Sequence, residues 1–397
     1  MERELSGESP TQGLFKISPM LDRLVIPAGL IFTCAVVVGR PADGQTESGW
    51  VGKRVVQKSH DFSLTANGEP VERNSQIIDV YRVERTDGSM LWLKAETLGS
   101  SGWAKAQDVV PLDKALDFFT HEIQAKPTEP FLYLARALIW HKRNDVDKAL
   151  RDYDEAIRLE PLNGSSYRGR GLVWHSKQEY DKAITDFDES IRLDPRSALT
   201  FIGRGISRSS KKEFNKAIAD YSEAIWLDPL AISAYDRRGL AWHAKKEHQK
   251  AIVDYNVAIR LDSQDAFAYY NRANAWVALH QFGKAVADFD QAIQADETCA
   301  GAFGNRAWLW STCPDPKYRD GTKAVVSATR ACELTQHADA LLLDVLAAAF
   351  AEAGDYDSAV KWQSQANSMH VEAEDKSKGA VRLKLYQNHK PCRDPDG

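Results

Sequence analysis

Cysteine is scarce in this chain: five occur in 397 residues and none are arranged as Cys-x-x-Cys, the spacing that zinc and dithiol redox sites use. Also absent are the HExxH, GxSxG, GxxxxGK[ST] and GxGxxG patterns, so no metalloprotease, serine-hydrolase, P-loop or dinucleotide chemistry can be read here. There is no excess of positive charge. The 51 Lys and Arg against 56 Asp and Glu leave a net charge of −5, which speaks against a general nucleic-acid binder. A membrane-spanning helix needs about 20 apolar residues, and the uncharged N-terminal run Leu24–Val38 has only 15.

That run lies between Arg23 and the segment Gly39, Arg40, Pro41, Ala42. Its length suits the apolar part of a secretory signal, and Ala42 and Gly44 supply small residues for cleavage after Gly44. An uncleaved N-terminal anchor is the alternative. Residues 1–44 are therefore expected to place the protein in the periplasm or cell envelope, or to anchor it there.

What is abundant is repetition. Arg136, Arg170, Arg204, Arg238, Arg272 and Arg306 recur every 34 residues without a slip. A fixed period in this range marks helical units that bury their apolar faces only against each other. With Pro130, Gly164, Ala198, Ile232, Ala266 and Ala300 as first positions, position 8 is always Ala or Gly, and positions 20 and 27 stay small. Aromatic residues hold position 4, from Tyr133 to Phe303, and position 24, from Tyr153 to Phe289. Small residues let two helix backbones approach, and the i, i+3, i+4, i+7 spacing gives each half of the unit a helical period. Pro161, Pro195 and Pro229 stop the second helices.

This pattern resembles the tetratricopeptide repeat (TPR), a helix-turn-helix unit of 34 residues. The resemblance runs from Leu112 to Met369. It opens with an incomplete repeat marked by Ala115, Phe119 and Pro127, continues through six full units, and ends with a seventh at Ala340–Met369. Ser263 and Glu297 replace the proline, and the sixth unit has about five extra residues within STCPDPKYRDG; each departure is expected to weaken a helix stop. The resemblance implies a mainly α fold, a right-handed TPR α-solenoid, with a protein or peptide partner held along a groove lined by the first helices. It implies neither catalysis nor a cofactor. Carried over position by position, the groove residues are Leu134, Leu138, His141, Arg168, Leu172, His175, Ile202, Ile206, Asp236, Leu240, His243, Tyr270, Asn274 and Trp308. For the family's carboxylate clamp, only Lys142, Arg168 and Asn274 are candidates.

The arginine column departs from the family's apolar choice at that position. Asp152, Asp186, Asp220, Asp254 and Asp288 repeat in step with Arg136, Arg170, Arg204, Arg238 and Arg272, which predicts a structural ion pair in each repeat. Arginines facing an anionic ligand are the other reading. His141, His175 and His243 share one position, yet neighbouring repeats stand about 10 Å apart while metal–imidazole bonds are about 2 Å, so no metal is expected. Cys299 and Cys332 are the cysteines best placed to pair, and the sequence leaves open whether they do.

Between Glu47 and Pro111 the helical period gives way to short β-branched and aromatic runs, Trp50–Val56, Ile77–Val83, Met90–Leu93 and Trp103–Val110, broken by turn signals such as Asp87 and Gly88. About five strands in so short a segment predict a small all-β barrel. Its Gly-Trp pairs, Gly49 with Trp50 and Gly102 with Trp103, resemble those of the bacterial SH3-like domain, and Trp92 and Trp103 are expected in its core.

The chain thus divides into residues 1–44, a barrel at 47–111, repeats at 112–369 and a charged segment at 370–397 that ends in a short amphipathic piece, Val381–Tyr386, as a cap or a tail. The expected function is a non-enzymatic interaction scaffold with a protein or peptide partner and no nucleic acid. The alternatives are an accessory subunit of an envelope enzyme or assembly system, and attachment to the cell envelope through the SH3-like domain.

Overall fold

A computed structural model describes residues 49–59, 61–66, 69–70, 78–96 and 100–393. The N-terminal run with Cys34, and the cleavage point after Gly44, lie outside these residues. The described chain forms two compact units that divide between Ala234 and Tyr235.

The first unit opens with seven strands: β1 (Arg54–Gln57), β2 (Thr65–Ala66), β3 (Glu69–Pro70), β4 (Val80–Asp87), β5 (Met90–Ala95), β6 (Ser101–Lys105) and β7 (Val109–Pro111). They pair antiparallel in the order β3-β2-β6-β5-β4-β1-β7. β1 begins later than the expected Trp50, because residues 49–52 form a turn in which Gly52 has φ 82°. Side chains alternate between faces along a strand, so Tyr81, Val83, Leu91, Leu93 and Ala104 join Val55, Phe62 and Leu64 in one core. At Gly102 a Cβ would sit 2.9 Å from Leu64 Cβ and 3.0 Å from the Thr65 carbonyl oxygen, so the close approach of β2 requires glycine there. The same alternation turns Trp92 and Trp103 to the opposite face, where both are half-buried. Their expected place in the core is corrected by the period of two. At the β1–β7 end, that opposite face is covered by helix: Val56 and Val110 pack with Ala115, Leu116, Phe119, Leu132 and Ile139.

Sixteen helices follow among the described residues. α1 (Ala115–Ala125) precedes the pairs α2 (Pro130–Lys142) and α3 (Val146–Leu159), α4 (Gly164–Ser176) and α5 (Tyr180–Leu193), and α6 (Ala198–Ser210) and α7 (Phe214–Leu227). α8 (Ile232–Ala244), which contains the division between units, pairs with α9 (His248–Leu261). The second unit continues with α10 (Ala266–Ala278) and α11 (Phe282–Ala295), α12 (Ala300–Thr312) and α13 (Gly321–Leu334), α14 (Ala340–Glu352) and α15 (Tyr356–Met369), then α16 (Ala373–Gln387).

Small residues set the spacing within a pair: a Cβ on Gly239 would lie 2.6 Å from Tyr255 Cε1. The turns of the first five helix pairs each place a residue in the left-handed region, Asn144, Gln178, Lys212, Lys246 and His280 at φ 54–64°. The second helices end on time even without proline. Asp262 and Asp296 each turn the chain by accepting a hydrogen bond from the backbone N–H two residues on, at 2.9 Å, as Asp194 and Asp228 do beside their prolines. Loss of the proline at Ser263 and Glu297 therefore leaves the stop intact.

α14 is apolar nearly all round and buried on nearly every side, packed against α12, α13 and α15. Its central charge, Asp344, is fully buried and receives Arg382 Nη2 at 2.6 Å, His370 Nε2 at 2.9 Å and the Gln363 amide. Arg382 lies on α16, which is a helix of 15 residues, longer than the piece Val381–Tyr386 that the sequence suggested.

Candidate partner-binding face

The arginine and aspartate columns meet. Arg136 Nε and Nη2 reach Asp152 at 2.8 and 2.7 Å, Arg170 reaches Asp186 at the same distances, and Arg272 reaches Asp288 at 2.7 Å through both nitrogens. Arg204 binds Asp220, which Arg208 also reaches at 2.8 Å, and Arg238 binds Asp254. The aspartate side chains are 3–9% exposed and the arginines 16–22%, so these guanidinium groups are oriented inward and not towards a ligand. The hydrogen bond to Asp186 raises the Arg170 pKa further above its ordinary value. Burial pushes the Asp220 carboxyl up despite Arg204 and Arg208.

A third partner was not foreseen. The remaining nitrogen of Arg136, Arg170, Arg204, Arg272 and Arg306 reaches back sixteen residues, to Thr120, Asp154, Asp188, Asn256 and Asp290 in turn. The column has the right spacing, but its residue types vary, so no single chemistry repeats. Arg306 has Ser327 in place of the aspartate.

In the first unit the candidate residues of α2, α4 and α6 lie on the first helices. Leu134 and Ile202 are buried, Leu138, His141, Arg168, His175 and Ile206 half-buried, and Leu172 39% exposed. The sheet covers the α2 end of this face. Ile78 packs on the cluster that holds Leu134, and Lys142 lies 3.5 Å from Glu96, which also takes both guanidinium arms of Arg54. Lys142 is therefore engaged and not free for a carboxylate clamp. Burial, then Lys142, lowers the pKa of His141; His175 Nδ1 meets Ser207 Oγ at 3.0 Å.

In the second unit Asp236 is buried and its carboxyl is pushed well up, by burial first and then by the neighbouring Asp265. His243 is pushed down to about 4 by burial and by His248, whose Nδ1 lies 3.2 Å from its own. Tyr270 and Asn274 are buried as well; Asn305 donates to the Tyr270 hydroxyl at 3.2 Å and to Asn274 Oδ1 at 2.8 Å. Asn274 Nδ2 and Asn305 Oδ1 have no hydrogen-bond partner among the described residues. Trp308 is buried in the cluster of Leu342 and Leu346, and Leu240 stays half-buried. Asp236, Tyr270, Asn274 and Trp308 thus serve helix contacts more than an open surface.

Cys299 and Cys332 are free thiols. Cys299 and Cys332 do not pair because Cys299 sits at the N-cap of α12 while Cys332 packs in a different cluster and donates to the Leu342 carbonyl. Among the described residues no three His, Cys, Asp or Glu side chains converge on a metal position, and no helix is long and apolar enough to cross a membrane.

A family model described as the tetratricopeptide repeat matches residues 134–198. Among solved structures, the chain is similar to yeast Tom70 at 18% identity and TM-score 0.50, over 70% of this chain and 59% of that one. It is similar to the APC/C hetero-tetramer Cut9-Hcn1 at 16% identity and TM-score 0.52, over 60% and 46%. A third similar structure, YrrB, is described as a TPR protein with an unusual peptide-binding site; identity is 21%, TM-score 0.40 and coverage 47% and 97%. No curated protein matches the sequence. At these identities the likeness is one of fold. Residues 134–198 match the tetratricopeptide repeat, and the fold of the chain is a mainly α, TPR-like helical solenoid with a small antiparallel sheet on the N-terminal side.

Proposed function

We propose that this protein is a non-enzymatic scaffold that holds an extended peptide, or a segment of a protein partner, against the first helices of its repeats. The observation that carries this reading is the stripe Leu138, Leu172 and Ile206, which recurs every 34 residues and is exposed at Leu172 and half-buried at Leu138 and Ile206. His141 and His175 run beside it, so apolar contacts and hydrogen-bonding groups alternate along one face, as peptide recognition requires. YrrB, a repeat protein of the same type, is described as having a peptide-binding site. The sheet of residues 54–111 is read as the SH3-like domain, and residues 1–44 as the export signal or anchor that brings the scaffold to the periplasm or cell envelope.

The test is selection of random dodecapeptides on the immobilised full chain. Leu172→Glu places a charge on an exposed position and is expected to weaken the selected peptides about tenfold or more while leaving the melting temperature unchanged. Peptides that bind Leu172→Glu and Leu138→Glu as tightly as the parent chain would falsify the assignment of this face.

A further inference from the structure

In the second unit the C-terminal ends of two first helices are closed by the chain's own last described residues. After α16 the chain reverses at His389, which has φ 53° and whose ring stacks on that of Tyr356 at 5.1 Å, and Lys390 donates its backbone N–H to the Leu385 carbonyl at 3.0 Å. Cys392 then packs against the cluster of Ala347, Ala351, Ala359 and Tyr386. Arg393 completes the path. Its Nη1 lies 2.6 Å from Glu352 Oε2 and donates to the Ser311 carbonyl at 3.3 Å and to the Cys392 carbonyl at 2.8 Å. Ser311 on α12 and Glu352 on α14 hold the helix positions that His141 and Lys142 hold on α2. No other first helix from α2 to α12 ends in an acid: α2 ends in Lys142 and the rest in Ser, Ala or Thr.

A carboxylate at a helix C-terminus faces the negative end of the helix dipole, so it demands a cation there. Glu352 has two. Arg319, which lies among the extra residues of the sixth unit, donates Nε to Glu352 Oε1 at 3.2 Å and Nη1 to the Cys313 carbonyl at 2.8 Å. Gly321 lets this loop close on the helix end, since a Cβ there would lie 2.5 Å from the Ala353 nitrogen. The Arg319 side chain is 19% exposed against 37% for Arg393, and Glu352 Oε2, though buried, accepts no aligned hydrogen bond among the described residues. Arg393 is therefore the replaceable partner, held through a single nitrogen. We propose that residues 391–393 are an intramolecular ligand that blocks this end of the first-helix face, and that a partner segment carrying an arginine binds by displacing Arg393. The partner's guanidinium meets the same Glu352 carboxylate and helix-end carbonyl, and adds the aligned charge-assisted bond that the tethered arginine lacks. The displacement rests on the peptide reading above, whereas the block is a feature of the chain alone.

Trypsin reads the block directly, because cleavage after Arg393 needs its guanidinium released. In the full chain this cut is expected to be slow, and to become about fivefold faster in Glu352→Gln. Random dodecapeptides are then selected on full-length Arg393→Glu, in which Glu352 repels the tail. They are expected to be rich in arginine, to bind the parent chain about tenfold more weakly, to lose binding when Glu352→Gln is added to Arg393→Glu, and to be indifferent to added Leu172→Glu. Arg393 lies beyond the last helix, so its variant stays informative if Glu352→Gln disturbs the end of α14. The proposal is overturned if Arg393 is cut equally fast in the parent and in Glu352→Gln, if selection on the variant yields no arginine-bearing peptide, or if the selected peptides bind parent and variant alike. Failure of the first-helix reading looks different: peptides selected on the parent chain then ignore Leu172→Glu, while the trypsin contrast at Arg393 persists.

Discussion

At the scale of single residues the decisive feature is the arginine clamped between two second helices. Arg136, Arg170, Arg204 and Arg272 each bind an aspartate of their own repeat through two nitrogens and an acceptor sixteen residues back, and lie 5.4–5.9 Å from the aromatic ring at position 4. Removing one leaves a nearly dry carboxylate without its counter-charge. Arg272→Ala, which leaves Asp288 without its ion-pair partner, is therefore expected to cost about 3–5 kcal/mol in urea unfolding, whereas Arg158→Ala, which breaks an exposed pair with Glu155, leaves the midpoint unchanged. Equal effects from the two variants would show that the ladder is ornamental. The ladder was legible because both partners repeat as single residue types. Trp92 and Trp103 were misplaced for the opposite reason, since an aromatic in a short strand looks the same on either face until the register is known. His243 gives a pH dependence. Its folded pKa of about 4 lies below the ordinary 6.5, so the fold keeps the ring neutral while the unfolded chain takes up a proton. This contribution is complete above pH 6.5 and is lost as pH falls towards 4, on the order of 3 kcal/mol in all. Unfolding of His243→Gln at pH 7 and pH 4.5 is expected to show a smaller loss than the parent chain by that margin.

At the scale of elements, the period of 34 marked six helix pairs starting from Pro130 to Ala300, and the small-residue columns marked the seventh at Ala340–Met369, because each repeat buries its apolar face against its neighbours at a fixed spacing. The turns between paired helices were not legible. Their left-handed residue is Asn, Gln, Lys or His where glycine is the usual signal, and only the last pair uses glycine, Gly354 at φ 85°. Packing of the flanking helices holds these side chains in a conformation that costs roughly 1 kcal/mol or more. Lys212→Gly is expected to raise stability by about 1 kcal/mol, read as a higher urea midpoint with an unchanged slope; a lower midpoint would mean that the lysine side chain contributes more than the backbone strain costs. The helix stops at Asp262 and Asp296 teach a similar lesson. Proline was the visible marker, but the aspartate side chain performs the turn in every repeat that lost it. α16 escaped full recognition because its first two turns, from Ala373, are charged and carry no buried apolar side chain, and one of its buried anchors, Arg382, is itself a charged residue.

At the scale of the whole molecule, the repeats give each unit a row of first helices, whose position 9 is apolar and only partly covered at Leu138, Leu172, Ile206 and Leu240 and buried at Asn274 and Trp308. The candidate face was therefore only partly readable. The family pattern names positions, but burial decides which of them can meet a partner, and burial depends on neighbours that a single sequence does not display, such as Ile78 and Glu96 against α2. Amide hydrogen exchange of the full chain, with and without a peptide selected by it, tests the central claim most directly. Added protection confined to first helices, α2, α4 and α6 or α8, α10 and α12, is the predicted result. Protection on the second helices α3, α5 and α7, with the first helices unchanged, would contradict it.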